Sequence, residues 1–137
     1  MKKKILLAIA LVAILASLAD YFYHTLPHQF EIRQAAWLKI FNASTGQNVE
    51  ITDGEVIQRI TENINAIKFR RLDTEKIDGR AFTLTWYDEN NDVIEALHLM
   101  DSGSVIKNSQ RYQSIGKVNC ELDLDYIETL FSNDTIN

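Results

Sequence analysis

The histidines are the first residues in this sequence that point to chemistry, because imidazole is a common metal ligand. The chain has three, at positions 24, 28 and 98. His24 and His28 have the i, i+4 spacing that places two side chains on one helix face, but Pro27 between them disfavours a continuous helix. His98 has no cysteine or second histidine at ligand spacing. We therefore expect no metal site and no cofactor.

Oxygen-bearing side chains alternate at Asp88, Asn90 and Asp92, as the ligands of a calcium-binding loop do. Such a loop also needs glycine at its sixth position and glutamate at its twelfth, where this sequence has Val93 and Leu99. The segment is instead predicted to be a hairpin turn made of residues that favour turns.

Ser102, Ser104 and His98 are the only neighbouring residues that could supply a nucleophile and its base. Nucleophilic catalysis requires the base to be oriented by a third group, and no such arrangement is evident. The sequence also lacks a nucleophile elbow, a glycine-rich phosphate loop and an HExxH segment. We expect a protein that is not an enzyme, with an enzyme acting on a cell-wall component as an alternative.

A basic segment and several aromatic residues provide one candidate interaction surface. Lys68, Arg70, Arg71 and Lys76 could meet anionic lipid headgroups or wall polymers, although solvated or ion-paired side chains are the more common case. Aromatic residues at strand spacing could line a ligand surface or the core; they are Trp37, Trp86, Tyr87 and Tyr112. The predicted surface consists of Lys68, Arg70, Arg71, Tyr87 and Tyr112.

The N-terminus is typical of an export signal: three lysines at positions 2–4 precede an uncharged apolar run from Ile5 to Ala19. The lysines favour a cytoplasmic N-terminus and an external C-terminal domain. Small residues at Ser17 and Ala19 would permit cleavage before Asp20 and secretion. Against cleavage, aromatic residues at 21–23 suit the membrane interface, and residues 5–23 approach the roughly 20 needed to span a bilayer. A single-pass anchor is favoured.

Charge excludes one class of partner. The 14 basic residues minus the three N-terminal lysines leave 11 against 19 acidic residues, a formal charge of −8 from Asp20 onward. Binding to nucleic acid depends on neutralising phosphates, so we expect no nucleic-acid partner. Cys120 is the only cysteine, which excludes an intramolecular disulfide, and we expect it to be a buried apolar residue.

The remaining pattern predicts one α+β domain. Strands are expected near 37–41, 48–51, 68–72, 80–87, 93–100, 104–107 and 110–114. A capping box at Thr52 and Glu55 begins a helix that continues to Ile67, and a second helix covers 123–132. Short connections predict an antiparallel sheet of about five to seven strands with both helices on one face. The divisions are 1–25 for the signal or anchor, 26–36 for a linker, 37–132 for the domain and 133–137 for a polar tail.

Four sequence features together resemble a class of bacterial proteins. They are the apolar N-terminal segment preceded by three lysines, Ile51-Thr52-Asp53 at the start of an isoleucine-rich helix, Trp86-Tyr87-Asp88 at a hairpin, and Asp125-Tyr126-Ile127-Glu128 near the C-terminus. The combination resembles small exported or membrane-anchored α+β domains of Gram-positive bacteria, families of uncharacterised function. The resemblance implies location and fold class, and it carries over no catalytic residue.

The sequence therefore favours a non-enzymatic binding or interaction module on the outer face of the membrane. Its ligand would be an unknown protein or cell-wall component. An inhibitor or immunity-type protein that acts on a cationic peptide or hydrolase is the alternative, because the domain is acidic.

Overall fold

The computed structural model describes residues 1–73, 79 and 81–133. Within these residues, an N-terminal helix precedes seven strands and two further helices, so the chain is α+β as predicted. The helices are α1 (Lys2–Thr25), α2 (Gly54–Ala66) and α3 (Leu124–Asn133). The strands are β1 (Trp37–Asn42), β2 (Asn48–Ile51), β3 (Phe69–Leu72), β4 (Phe82–Tyr87), β5 (Val93–Asp101), β6 (Ser104–Lys107) and β7 (Gln110–Ser114).

The strands form one sheet in the order β2-β1-β4-β5-β6-β7-β3, and neighbouring strands are antiparallel throughout. Four pairs of neighbouring strands are consecutive in the chain: β1 with β2, β4 with β5, β5 with β6, and β6 with β7. The other two pairs, β1 with β4 and β3 with β7, join strands that are distant in sequence, and β3 lies at the edge of the sheet. The chain must therefore cross from the edge to the middle of the sheet between β3 and β4. Residues 74–78 and 80 of this connection lie outside the described ones.

One sheet face carries both helices, as predicted. Alternate strand residues such as Leu38, Leu84 and Leu97 are fully buried there because α2 and α3 exclude water from them. The indole Nε1 of Trp86 donates a hydrogen bond to Thr61 Oγ1 of α2 at 3.0 Å. α3 places Phe131 against Phe82 of β4, with ring centroids 5.9 Å apart.

The start of α2 differs from the prediction by one residue. Asp53, not Thr52, is the N-cap, and its carboxylate accepts hydrogen bonds from the backbone N–H groups of Glu55 and Val56 at 2.9 and 3.4 Å. Both residue types cap helices well, but the Asp53 carboxylate also complements the positive end of the helix dipole. The predicted apolar stripe is confirmed, with Ile57, Ile60 and Ile64 buried.

The segment expected to be a linker, residues 26–36, packs into the domain. Phe30 and Ile32 are only 3% and 6% exposed and belong to the main core. The backbone of His28 exchanges two hydrogen bonds with Phe69 of β3, and the backbone of Ile32 exchanges two with the Asn65 side chain of α2. A free linker would leave these apolar side chains in water, so burial favours the docked arrangement.

The hairpin between β4 and β5 is the turn predicted at residues 88–92. Asp88 accepts backbone hydrogen bonds from Asn90 and Asp92 through one carboxylate oxygen, at 2.8 and 3.0 Å. Asn91 adopts a positive φ of 63°, which asparagine tolerates well. The carboxylate of Asp88 thus stabilises the turn itself.

α1 is long and apolar enough to cross a membrane by length and composition, and none of its residues is buried. It is compatible with a membrane anchor or a signal peptide. Cys120 is partly buried rather than fully so.

Candidate functional site

The sheet face opposite the helices carries the first candidate site. Strands β1, β4 and β5 bring side chains into register there: Trp37, Tyr87 and Val93 form one row, and Lys39, Thr85 and Ala96 form the next. Phe41 and Thr83 continue the pattern. We call these eight residues the β1–β4–β5 surface. No helix of the described part of the chain packs on it, since α2 and α3 contact the opposite side.

An aromatic pair forms one end of this surface. The rings of Trp37 and Tyr87 stack with centroids 3.9 Å apart and planes only 4° from parallel. Trp37 Nε1 donates to Asn91 Oδ1 at 2.9 Å, which fixes the indole beside the β4–β5 hairpin. Two rings held in this way keep a constant shape and lose little conformational entropy when a partner covers them.

Exposed apolar side chains distinguish this surface from the rest of the described domain. Beyond Met1, α1 and Leu26, the exposed large apolar residues are Phe41 (37%), Val93 (58%) and Val118 (80%). Two of the three belong to the β1–β4–β5 surface: Val93 lies beside Tyr87 in the first row, and Phe41 lies on β1 beyond the row that contains Lys39. Grouped apolar and aromatic side chains are typical of interaction sites, whereas single exposed residues are ordinary.

The border of the surface is acidic. The β4–β5 hairpin adjoining Trp37 contains Asp88, Glu89 and Asp92, of which Glu89 and Asp92 are exposed. Glu50 of β2 lies opposite Lys39 and is also exposed. A basic rim on a partner would complement this border.

A second cluster forms where the end of α1 meets β3; we call it the α1–β3 cluster. His28 stacks on Tyr112, with centroids 4.8 Å apart, and meets Phe30 edge-on at 4.9 Å. The Arg71 guanidinium lies 3.4 Å from His28 Nδ1 and 4.3 Å from the centre of the Tyr23 ring. Lys107 lies 5.9 Å from the Phe30 ring and forms a 2.6 Å ion pair with Glu95.

His28 is electrostatically unusual within this cluster. Burial lowers its pKa below the ordinary value of 6.5, and the Arg71 and Lys107 cations lower it further, against a smaller opposing effect of Glu95. The imidazole is therefore kept neutral at pH 7, which suits its stacking on Tyr112.

The five predicted interaction residues do not share one surface. Arg71 and Tyr112 come together in the α1–β3 cluster, with the guanidinium 5.9 Å from the ring centre, but Tyr112 is buried. Lys68 and Arg70 are exposed; Lys68 directly precedes β3 and Arg70 lies within it. Tyr87 lies on the β1–β4–β5 surface, three strands from β7. Lys76, which belonged to the basic segment, lies outside the described residues.

The β1–β4–β5 surface contains residues that the sequence prediction missed, notably Phe41 and Val93. A signal was present for Phe41, because strand alternation places it with Trp37 and Lys39, opposite the buried Leu38 and Ile40. Val93 carried no such signal, since β5 alternates less clearly.

The other candidates for chemistry are placed as follows. Ser104 is fully buried, and its hydroxyl donates to Gln113 Oε1 at 2.8 Å. His98 Nδ1 lies 2.9 Å from Thr83 Oγ1. Among the described residues, no group of three or more His, Cys, Asp or Glu side chains is placed to hold a metal ion. A cleft of about 340 Å³ lies between α2 and the 32–35 segment, bordered by Thr61, Glu62 and Asn65.

Comparison with known proteins finds no match: no family model, no curated protein and no solved structure is similar to this chain.

Proposed function

We propose that this protein is a non-enzymatic binding module, held at the outer face of the membrane by α1, which binds another protein through the β1–β4–β5 surface. The observation that carries the proposal is that the exposed side chains of Phe41 and Val93 lie on the same sheet face as the stacked Trp37–Tyr87 pair. The apolar helix α1, which has three lysines in its first turn, supports the location.

The chemistry of the surface favours a protein partner with an apolar centre and a basic rim. Trp and Tyr are enriched among residues that dominate binding energy, and they act best when surrounding contacts exclude water. The acidic hairpin residues and the formal charge of −8 from Asp20 onward favour cations at the border. A cationic hydrolase or peptide as partner would make the protein an inhibitor or immunity-type module, which is the second candidate.

A paired capture experiment tests the proposal. The full chain, tagged at its C-terminus, is expressed in its own host, cross-linked and purified from membranes. Phe41→Thr and Val93→Thr are combined in one variant, because threonine preserves strand propensity while removing apolar contact area. The proposal expects one protein, recovered reproducibly with the wild-type chain, to be reduced at least tenfold with the variant.

Val118→Thr provides the matched control, since Val118 is more exposed than either residue and lies in the connection between β7 and α3. It should leave capture unchanged. Equal recovery with the double variant would refute the assignment of the surface. Turnover of a wall substrate by the purified chain would refute the non-enzymatic role.

A further inference from the structure

The edge strand β3 lies directly against the end of α1. Arg71 donates a hydrogen bond from one terminal nitrogen to the Tyr23 backbone oxygen at 3.3 Å, and its guanidinium lies over the Tyr23 ring at 4.3 Å. The β3 residues are therefore fixed in position relative to the last turn of the apolar helix. The basic side chains of β3 therefore lie close to the end of the apolar helix.

The length of α1 sets the level of these cations in a membrane. The apolar segment begins at Ile5 and, with Asp20 as its one charged residue, ends in the aromatic residues that extend to Tyr23. At about 1.5 Å per residue this segment is about 28 Å long, close to the roughly 30 Å of a bilayer's hydrocarbon core. When α1 spans the bilayer, the Tyr23 ring lies at the interface. Arg71 then lies at the level of the lipid phosphates.

Strand alternation places basic side chains on both sides of the same sheet edge. Arg71 points to the helix-bearing face with Phe69, whereas Arg70 points to the opposite face, and Lys68 precedes them. Lys68 and Arg70 are exposed, and no ion pair joins either of them to another described residue. Arg71 Nε is buried without a hydrogen-bond partner among the described residues.

Nearby acidic groups do not cancel this charge within the described part of the chain. Asp20 of α1 lies 3.5 Å from His24, and Glu95 pairs with Lys107. Asp73, directly after β3, is exposed and is the one described carboxylate next to the basic run in sequence. Three cations within four residues at one sheet edge thus contrast with a domain whose formal charge is −8 from Asp20 onward.

We propose that Lys68, Arg70 and Arg71 bind the phosphate groups of anionic phospholipids in the outer leaflet. This inference rests on the proposed retention of α1 as an anchor, but it is independent of the protein partner. Arginine pairs with phosphate through parallel N–H donors, and lysine adds a point charge. Each cation near an anionic lipid surface strengthens binding by about fivefold. Bound lipid would also fix the orientation of the domain above the membrane.

Native mass spectrometry of the full chain tests the inference. The protein is purified in mild detergent and titrated with phosphatidylglycerol or, separately, with phosphatidylcholine of the same acyl chains. The wild-type chain should bind phosphatidylglycerol at least tenfold more tightly. The variant combining Lys68→Gln and Arg70→Gln should lose about 25-fold in apparent affinity for phosphatidylglycerol, and should bind phosphatidylcholine unchanged. Arg71 is left intact because it also contacts Tyr23.

A variant combining Arg33→Gln and Lys117→Gln is the matched control, because both residues are exposed and the net charge changes equally. It should retain the preference for phosphatidylglycerol. Equal affinity of the wild-type chain for the two lipids, or an equal loss in the control variant, would overturn the inference. The same spectra report the mass of the chain isolated from its host, so cleavage of α1, which would defeat the proposed anchor, is read separately from lipid binding.

Discussion

Replacing Phe30 with alanine tests whether residues 28–36 are part of the domain or only connect it to α1. The ring of Phe30 is 3% exposed and meets the rings of His28, Phe69 and Tyr112 at 4.9, 5.3 and 5.2 Å. A flexible linker residue would change stability by less than about 0.5 kcal/mol when truncated. The structure predicts a far larger effect.

The expected magnitude follows from burial. An aromatic side chain buries about 150–250 Å² on folding, and at about 25 cal/mol per Å² the ring contributes about 4–6 kcal/mol before any relaxation. Measured Phe→Ala substitutions in cores cost about 3–5 kcal/mol. We predict about 3–5 kcal/mol for Phe30→Ala, a large fraction of the roughly 5–15 kcal/mol typical of a domain.

Urea unfolding of the full chain in detergent micelles, followed by tryptophan fluorescence, measures this change. Both tryptophans lie in the sheet, so the signal reports the domain rather than α1. Glu31→Ala is the control, because Glu31 is exposed beside Phe30 and should change stability by less than about 0.5 kcal/mol. A loss below about 1 kcal/mol for Phe30→Ala would refute the docked arrangement.

Three further predictions concern stability and use the same unfolding assay. The chain should lose stability as pH falls below 6.5, because His28 stays neutral when folded while the unfolded chain takes up a proton; His28→Gln should make this loss smaller, and an identical pH profile would contradict the assignment. Asp53→Ala should lower the free energy of unfolding by about 1 kcal/mol because it removes the N-cap of α2, whereas Thr52→Ala should lower it little. A larger loss with Thr52→Ala would instead support the predicted capping box at Thr52 and Glu55. Thr61→Val should cost about 1–3 kcal/mol because the buried Trp86 N–H loses its acceptor, while Thr61→Ser retains it; equal effects of the two would argue against that bond.

Local patterns predicted most of the secondary structure. β2, β6 and β7 have the predicted bounds, β1, β3 and β5 differ by one residue at one end, and α3 differs by one residue at both ends. These elements are predicted accurately because strand alternation and the helical apolar stripe are properties of short segments. Thr52 was mistaken for the cap because it and Asp53 are adjacent residues that both cap helices.

Long-range arrangement was not predictable from the same patterns. The place of β3 beside β7 depends on pairing between distant segments, which leaves no mark in either strand alone. Phe30 and Ile32 did carry a signal, since they alternate with the polar residues Gln29, Glu31 and Arg33 as strand residues do. The mixed sequence around Pro27, between the apolar helix and the first predicted strand, led to their interpretation as linker residues.

The candidate surfaces also combine features that local sequence patterns predict with features that depend on long-range strand pairing. Arg71 and Tyr112 were selected for charge and aromaticity, and only the pairing of β3 with β7 brings them together. Tyr87 was selected with them but pairs with Trp37 on the opposite face. Residue type indicated which side chains could bind, whereas tertiary pairing determined which of them share a surface.

The most direct test of the proposed function is photo-cross-linking in intact host cells. A photoreactive amino acid replaces Phe41 in one full-length chain and Val118 in another, so that both probes are exposed but only the first lies on the β1–β4–β5 surface. Binding through the β1–β4–β5 surface predicts a discrete cross-linked protein from position 41 and none from position 118. Cross-linking of the same protein from position 118 but not from position 41 would contradict it.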